Sequence, residues 1–152
     1  MHKLTVVLRT SACLAGLLVF AGALSAGEKK LMHCFAFTVI ETATPAEWEA
    51  FAKATDAMPG KNPAVKRVWH GKLRSPLNLP FVTDGAARKK VNANEVVTAE
   101  VKRLQRQHGV CMEMDNADAL KTYTAHPSHK EWMAVYEKVR VAGTTTFDII
   151  GE

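Results

Sequence analysis

From Leu31 to Ile40 the chain is apolar at nearly every position, with His33, Phe35, Phe37 and Val39 on one face of a strand and Cys34, Ala36, Thr38 and Ile40 on the other. A strand that is apolar on both faces predicts cover on both sides. Thr44-Pro45-Ala46-Glu47 then reads as a capping box with proline at the first helical position, and Trp48, Phe51, Ala52 and Thr55 recur at helical spacing. The run from Met58 to Pro63 ends that helix, and Val65 to His70 predicts a second strand stopped by Gly71. Between Lys72 and Gln107 the pattern fades. Pro76, Pro80 and Gly85 break its first half, and 94–106 reads as either a short amphipathic helix or a ragged strand, so about 72–105 is expected to be an extended connection. Strand character returns from Gly109 to Asp115, with Val110, Met112 and Met114 on one face. Asn116 can cap a helix through Leu120 and Tyr123, and Pro127 turns the chain into another whose stripe is Trp132, Val135, Tyr136 and Val139. Gly143 stops it, and Thr144 to Ile150 predicts the last strand.

The order is β-α-β-β-α-β, the split plan of an α+β ferredoxin-like domain with a four-stranded antiparallel sheet, the first and third strands central and the helices on one face. The other face of that sheet lacks helices although the first strand is apolar there. A second copy packed sheet to sheet is the simplest cover, and a homodimer is the expectation.

The start of the chain is set apart from this domain. Lys3 and Arg9 precede an apolar run from Ala12 to Leu24, and Ser25-Ala26 stands before the polar Gly27-Glu28-Lys29-Lys30. This is the layout of a secretory signal peptide, too short for a stable membrane anchor. Residues 1–26 are expected to be removed, leaving 27–152 as one exported domain, periplasmic or secreted. Removing Lys3 and Arg9 from the 20 basic residues leaves 18 against 15 acidic ones. The excess is local: eight of the basic residues lie between Lys72 and Arg106, with only Asp84, Glu95 and Glu100 as acids and Phe81 as the lone aromatic. That composition predicts a solvated surface and argues against nucleic-acid binding. Cys34 and Cys111 each sit in an apolar run; an oxidising compartment permits a disulfide, but buried thiols on neighbouring strands are the default expectation.

Candidate chemistry concentrates in Tyr123-Thr-Ala-His126-Pro127-Ser-His129. Ser128 and Glu131 have capping-box spacing, which puts His129 in the first turn of a helix, where the macrodipole disfavours the imidazolium. A neutral imidazole near the Tyr123 phenol is equipment for acid/base work, and equally a helix corner in which the two groups satisfy each other. His33, on a face with Phe35 and Phe37, reads as a core or pocket histidine. A metal site built from His33, His126 and His129 lacks any recognisable ligand spacing, and no cofactor motif is present; neither metal nor cofactor is expected.

With Met32-His33-Cys34-Phe35-Ala36-Phe37, Pro63-Ala-Val65-Lys-Arg-Val68-Trp-His-Gly71, the tyrosine and His-Pro group, and the closing Phe147-Asp148, the chain resembles the stress-responsive A/B barrel family, the Dabb domains. The resemblance covers most of 27–152 outside the connection at 72–105. It implies a dimeric α+β barrel. In the members that are polyketide cyclases a histidine and a tyrosine promote aldol closure, which implies His129 as general base and Tyr123 as hydrogen-bond partner of a substrate carbonyl. His33, Phe35, Phe37, Phe51 and Val110 correspond to pocket-lining positions, and Thr55 stands where the cyclase has a second tyrosine.

Three functions follow. The first is binding of a small apolar or aromatic ligand; the second is a cofactor-independent cyclase, lyase or isomerase; the third is an interaction module without a ligand. The first two require a cavity that reaches both Tyr123 and His129, whereas the third requires bulky side chains to fill it.

Overall fold

The computed structural model describes residues 29–151, so the expected signal peptide lies outside the described residues. The elements are β1 (Leu31–Val39), α1 (Pro45–Asp56), α2 (Met58–Lys61), β2 (Arg67–Val82), α3 (Gly85–Asn92), β3 (Val101–Met114), α4 (Ala119–Ala125), α5 (Pro127–Val139) and β4 (Arg140–Ile150). The four strands form one antiparallel sheet in the order β2-β3-β1-β4. This is the ferredoxin-like α+β arrangement expected from the sequence, with the first and third long strands at the centre. The expected barrel is not formed: β2 and β4 are the two edges of an open sheet and do not pair with one another. Among the described residues no helix is long and apolar enough to cross a membrane.

Register fixes the chemistry of the two faces. One row across the sheet is His70, Val110, Phe35 and Thr146, and the rows beside it hold Met112, His33 and Asp148, and His108, Phe37 and Thr144. This face meets α1, α4 and α5. Phe37 sits edge-on to Phe51 of α1 and to Tyr136 of α5, and Trp132 stacks on Tyr136 with ring centroids 4.6 Å apart. On the opposite face Trp69, Cys111, Cys34 and Phe147 lie in a row. No helix of the described residues covers that row, and Trp69 and Phe147 are each 48% exposed.

Cys34 and Cys111 face one another across β1 and β3 and form a disulfide, so the expectation of free thiols is corrected. The bond closes a long loop, which by chain entropy is a constraint of roughly 4–5 kcal/mol on the unfolded chain. β2 does not stop at Gly71 but runs on to Val82, and β3 begins at Val101. The connection at 72–105 is therefore an extension of the β2–β3 hairpin, tipped by α3 under an Asp84 cap, and 101–106 is strand. Pro76 and Pro80 are tolerated because β2 is an edge strand with only one side to satisfy.

The capping box at Thr44 and Glu47 forms as expected, both side chains bonding reciprocally. That at Ser128 does not. Pro127 is already the first residue of α5, and His126 is its cap, with Nδ1 accepting from the Ser128 amide. Asn116 accepts from the Ala119 amide at the start of α4. β4 starts at Arg140, directly after α5, rather than at Thr144; Gly143, at φ +91°, lies within the strand.

Thr55 has a definite job in this core. Its hydroxyl donates to the Phe51 carbonyl at 2.7 Å and accepts from Trp132 Nε1 at 2.9 Å, tying α1 to α5. Thr55→Val keeps the shape but leaves the indole N–H buried and unpaired. We expect a loss of about 1–3 kcal/mol in urea unfolding; an unchanged midpoint would show that the bond contributes nothing to stability.

Candidate functional site

Between the helix-covered face of the sheet and α4 and α5 there is a cavity of about 170 Å³. Its apolar wall is Phe35, Trp132 and Met133, and its polar groups come from His33, Tyr123, His129, Tyr136 and Arg140, with Thr124, Thr144 and Thr146. Of the sequence candidates, His33, Phe35, Tyr123 and His129 meet here. Phe37, Phe51 and Val110 are sealed in the hydrophobic core and do not line the cavity.

His129 owes its place to the break at Pro127. The chain leaves α4 at Ala125, turns at His126 and re-enters a helix, which brings the His129 ring edge-on to Tyr123 at 4.7 Å between centroids. Burial, and then the neighbouring His33, hold the His129 pKa below the ordinary imidazole value, while its hydrogen bond with the Thr124 backbone acts the other way. The sequence argument invoked the helix dipole; the dominant cause is desolvation. Burial pushes the Tyr123 phenol well above its usual range, so it stays protonated and acts as a hydrogen-bond donor.

His33 stands 6.0 Å from Tyr123, ring to ring, and its Nδ1 lies 2.7 Å from Oδ1 of Asp148, the residue opposite it on β4. With Nδ1 donating to the carboxylate, Nε2 is the ring's remaining polar atom. The second row of site residues escaped the sequence reading. Thr144, Thr146 and Asp148 occupy alternate positions of β4 and share a face, so the period of two carried the signal; which strand they would meet was not in it. Arg140 and Tyr136, four apart at the end of α5, also point to this space.

Two other histidines are engaged elsewhere. His126 is spent on its cap and on Ser128 Oγ at 2.8 Å, and His70 bonds Asp56 at 3.0 Å. Among the described residues no cluster of three metal-ligating side chains occurs. A larger depression of about 350 Å³ lies along the hairpin arm, lined by Asn78, Leu79, Pro80, Val101, Lys102 and Arg103. It lacks an aromatic wall and any group that titrates near neutral pH, so the candidate acid/base groups are those of the smaller cavity.

The lowered His129 pKa has a sign that can be checked. The unfolded chain binds this proton more readily than the folded one, so the ring's contribution to stability falls as the pH drops through the ordinary midpoint near ~6.5 toward the folded value. In a proton NMR titration His129 should show a midpoint below the ordinary value, and His129→Gln should flatten the fall in stability between pH 7 and 5. A midpoint at or above the ordinary value would refute the burial argument.

No protein-family model matches the chain, and no curated protein matches it by sequence. Solved structures match its shape. A Dabb family protein with a ferredoxin-like fold from Mesorhizobium loti superposes with a TM-score of 0.53 at 13% identity, over 82% of this chain and 99% of the other. A dimeric ferredoxin-like protein of unknown function from Thermobifida fusca gives 0.52 at 17%, over 81% and 92%. A hydroxynitrile lyase from Passiflora edulis gives 0.55 at 8%, over 83% and 95%. At such identities the likeness is one of fold, and the fold of this chain is ferredoxin-like, with an open four-stranded sheet.

Proposed function

We propose that this protein is an exported homodimer that binds a small, largely apolar molecule in the cavity beside Tyr123 and His129. The observation that carries this reading is the cavity itself: a space walled by Phe35 and Trp132 remains between helices and sheet, and it reaches both polar candidates. An interaction module whose helix corner served packing alone would have closed that space with side chains. The volume, about 170 Å³, is close to the ~150 Å³ of an apolar cavity that accepts benzene, so the ligand is of single-ring size.

The dimer rests on the open face. Trp69, Phe147 and Ile149 are exposed there beside the buried Cys34 and Ala36, an apolar surface of the kind that marks an interface. The Thermobifida fusca protein of this fold is dimeric, which supports a dimer here. Export is supported by the disulfide, since such bonds persist in oxidising compartments.

A second reading, an acid/base enzyme, is favoured by one specific feature. His129 is held neutral and ready to accept a proton within ring contact of a phenol that remains a donor. This pairing suits proton abstraction beside a carbonyl, for which such groups contribute ~10²–10⁴-fold. A hydroxynitrile lyase shares the fold, so the plan is compatible with catalysis.

The two readings separate on one set of variants. A panel of single-ring alcohols, aldehydes, ketones and carboxylic acids should raise the thermal midpoint of the wild type by mass action, with a smaller rise in Tyr123→Phe and His129→Ala. If any member is turned over, those variants should lose rate with modest loss of affinity. An unshifted midpoint across the whole panel would end both readings. In the same preparations Phe147→Asp should convert the dimer to monomer in sedimentation, and a monomeric wild type would remove the dimer.

A further inference from the structure

The end of the cavity formed by α5 and β4 has a surplus of hydrogen-bond donors. Arg140, the first residue of β4, is 15% exposed in its side chain, and its guanidinium lies 4.6 Å from the centroid of the Tyr136 ring. Its Nε is buried without a hydrogen-bond partner. The carboxylate nearest to it, Glu137, is itself 62% exposed and lies 3.6 Å from the guanidinium, too far for a hydrogen bond. Tyr136 is 3% exposed, and its hydroxyl is also buried with no partner. Both residues line the cavity, with the hydroxyls of Thr144 and Thr146 beside them.

Anionic acceptors to match these donors are missing from the lining among the described residues. No Asp or Glu of the described residues contributes to the cavity wall. Asp148, on the same face of β4, is held by His33 at 2.7 Å. The C-terminal end of α5 offers Arg140 only a partial negative charge. A largely buried guanidinium whose Nε makes no hydrogen bond, and whose ion pair with Glu137 is long and exposed, favours a further anion, and a carboxylate matches its planar fork.

We propose that the ligand is a small monocyclic carboxylic acid, bound as the anion, with its carboxylate at Arg140 and its ring against Phe35 and Trp132. This rests on the cavity being a ligand site and names the class of molecule that it takes. The volume admits one ring with a short substituent. The carboxylate lies at the α5–β4 end, leaving the far end of the ring toward His33 and His129. Arg140 is then the residue that sets specificity, and it does so through charge rather than through the shape of the apolar wall.

Titration calorimetry with benzoate and benzyl alcohol tests this, since the two probes share a ring and differ in charge. The wild type should bind benzoate roughly tenfold or more tightly than benzyl alcohol. Arg140→Gln should erase that preference, weakening benzoate far more than benzyl alcohol, and Arg140→Lys should keep part of it. Tyr136→Phe, which preserves the ring stack, should weaken benzoate several-fold and the alcohol less. Equal affinity of the wild type for the two probes, or a preference that survives in Arg140→Gln, would overturn the proposal. If benzyl alcohol binds without any preference for benzoate, the anion assignment alone falls; if neither binds, the ligand-site reading falls with it. Should Arg140→Gln fail to fold, the wild-type preference together with Arg140→Lys and Tyr136→Phe decides the matter.

Discussion

The stack of Trp132 on Tyr136, braced by Phe35 and Phe37 of β1, sets the spacing between α5 and the sheet. Large flat rings fill the space near α1, where Phe51 completes the cluster, and Thr55 anchors the Trp132 indole from below. Toward α4 the same rings cannot fill the gap. There the strand positions opposite them carry His33, Thr144 and Thr146, and the cavity remains. Rigid aromatic packing on one side and small or polar residues on the other thus produce a sealed core and an unfilled site from one helix and one strand.

The polar groups around that site are positioned by the backbone and then meet each other. The Pro127 break, stabilised by the His126 cap, aims His129 at Tyr123; the β1–β4 register sets Asp148 against His33; the direct passage from α5 into β4 fixes Arg140 over Tyr136. Each placement depends on a secondary-structure boundary, so the site is built on elements rather than on loops. Burial then tunes what these placements supply, lowering the His129 pKa and raising those of both tyrosines.

Much of the architecture was legible because it rests on local signals. The apolar run at 31–40, the Thr44–Glu47 box and the Trp132, Tyr136 and Val139 stripe are short-range patterns, and each produced its element. What the sequence hid depends on pairing between distant segments. Pro76 and Pro80 read as breakers because an edge strand cannot be told from a central one before the strand order is known. Cys34 and Cys111 bond because the register sets them directly opposite, which neither segment states alone. The barrel was expected by resemblance, and the open edges of β2 and β4 remove it. At the site, Tyr123 and His129 stood out as residue types, whereas Asp148, Tyr136 and Arg140 acquire meaning only from what they face.

The central claim is that the space beside Tyr123 and His129 receives a ligand. The most direct measurement is a ¹H–¹³C NMR titration of ring-labelled protein with a single-ring probe such as benzyl alcohol, following all the histidine and tryptophan signals together. The account predicts saturable shifts at His33, His129 and Trp132, with His70 and Trp69 unmoved. No saturable shift at those three rings, or shifts confined to residues remote from them, would contradict it.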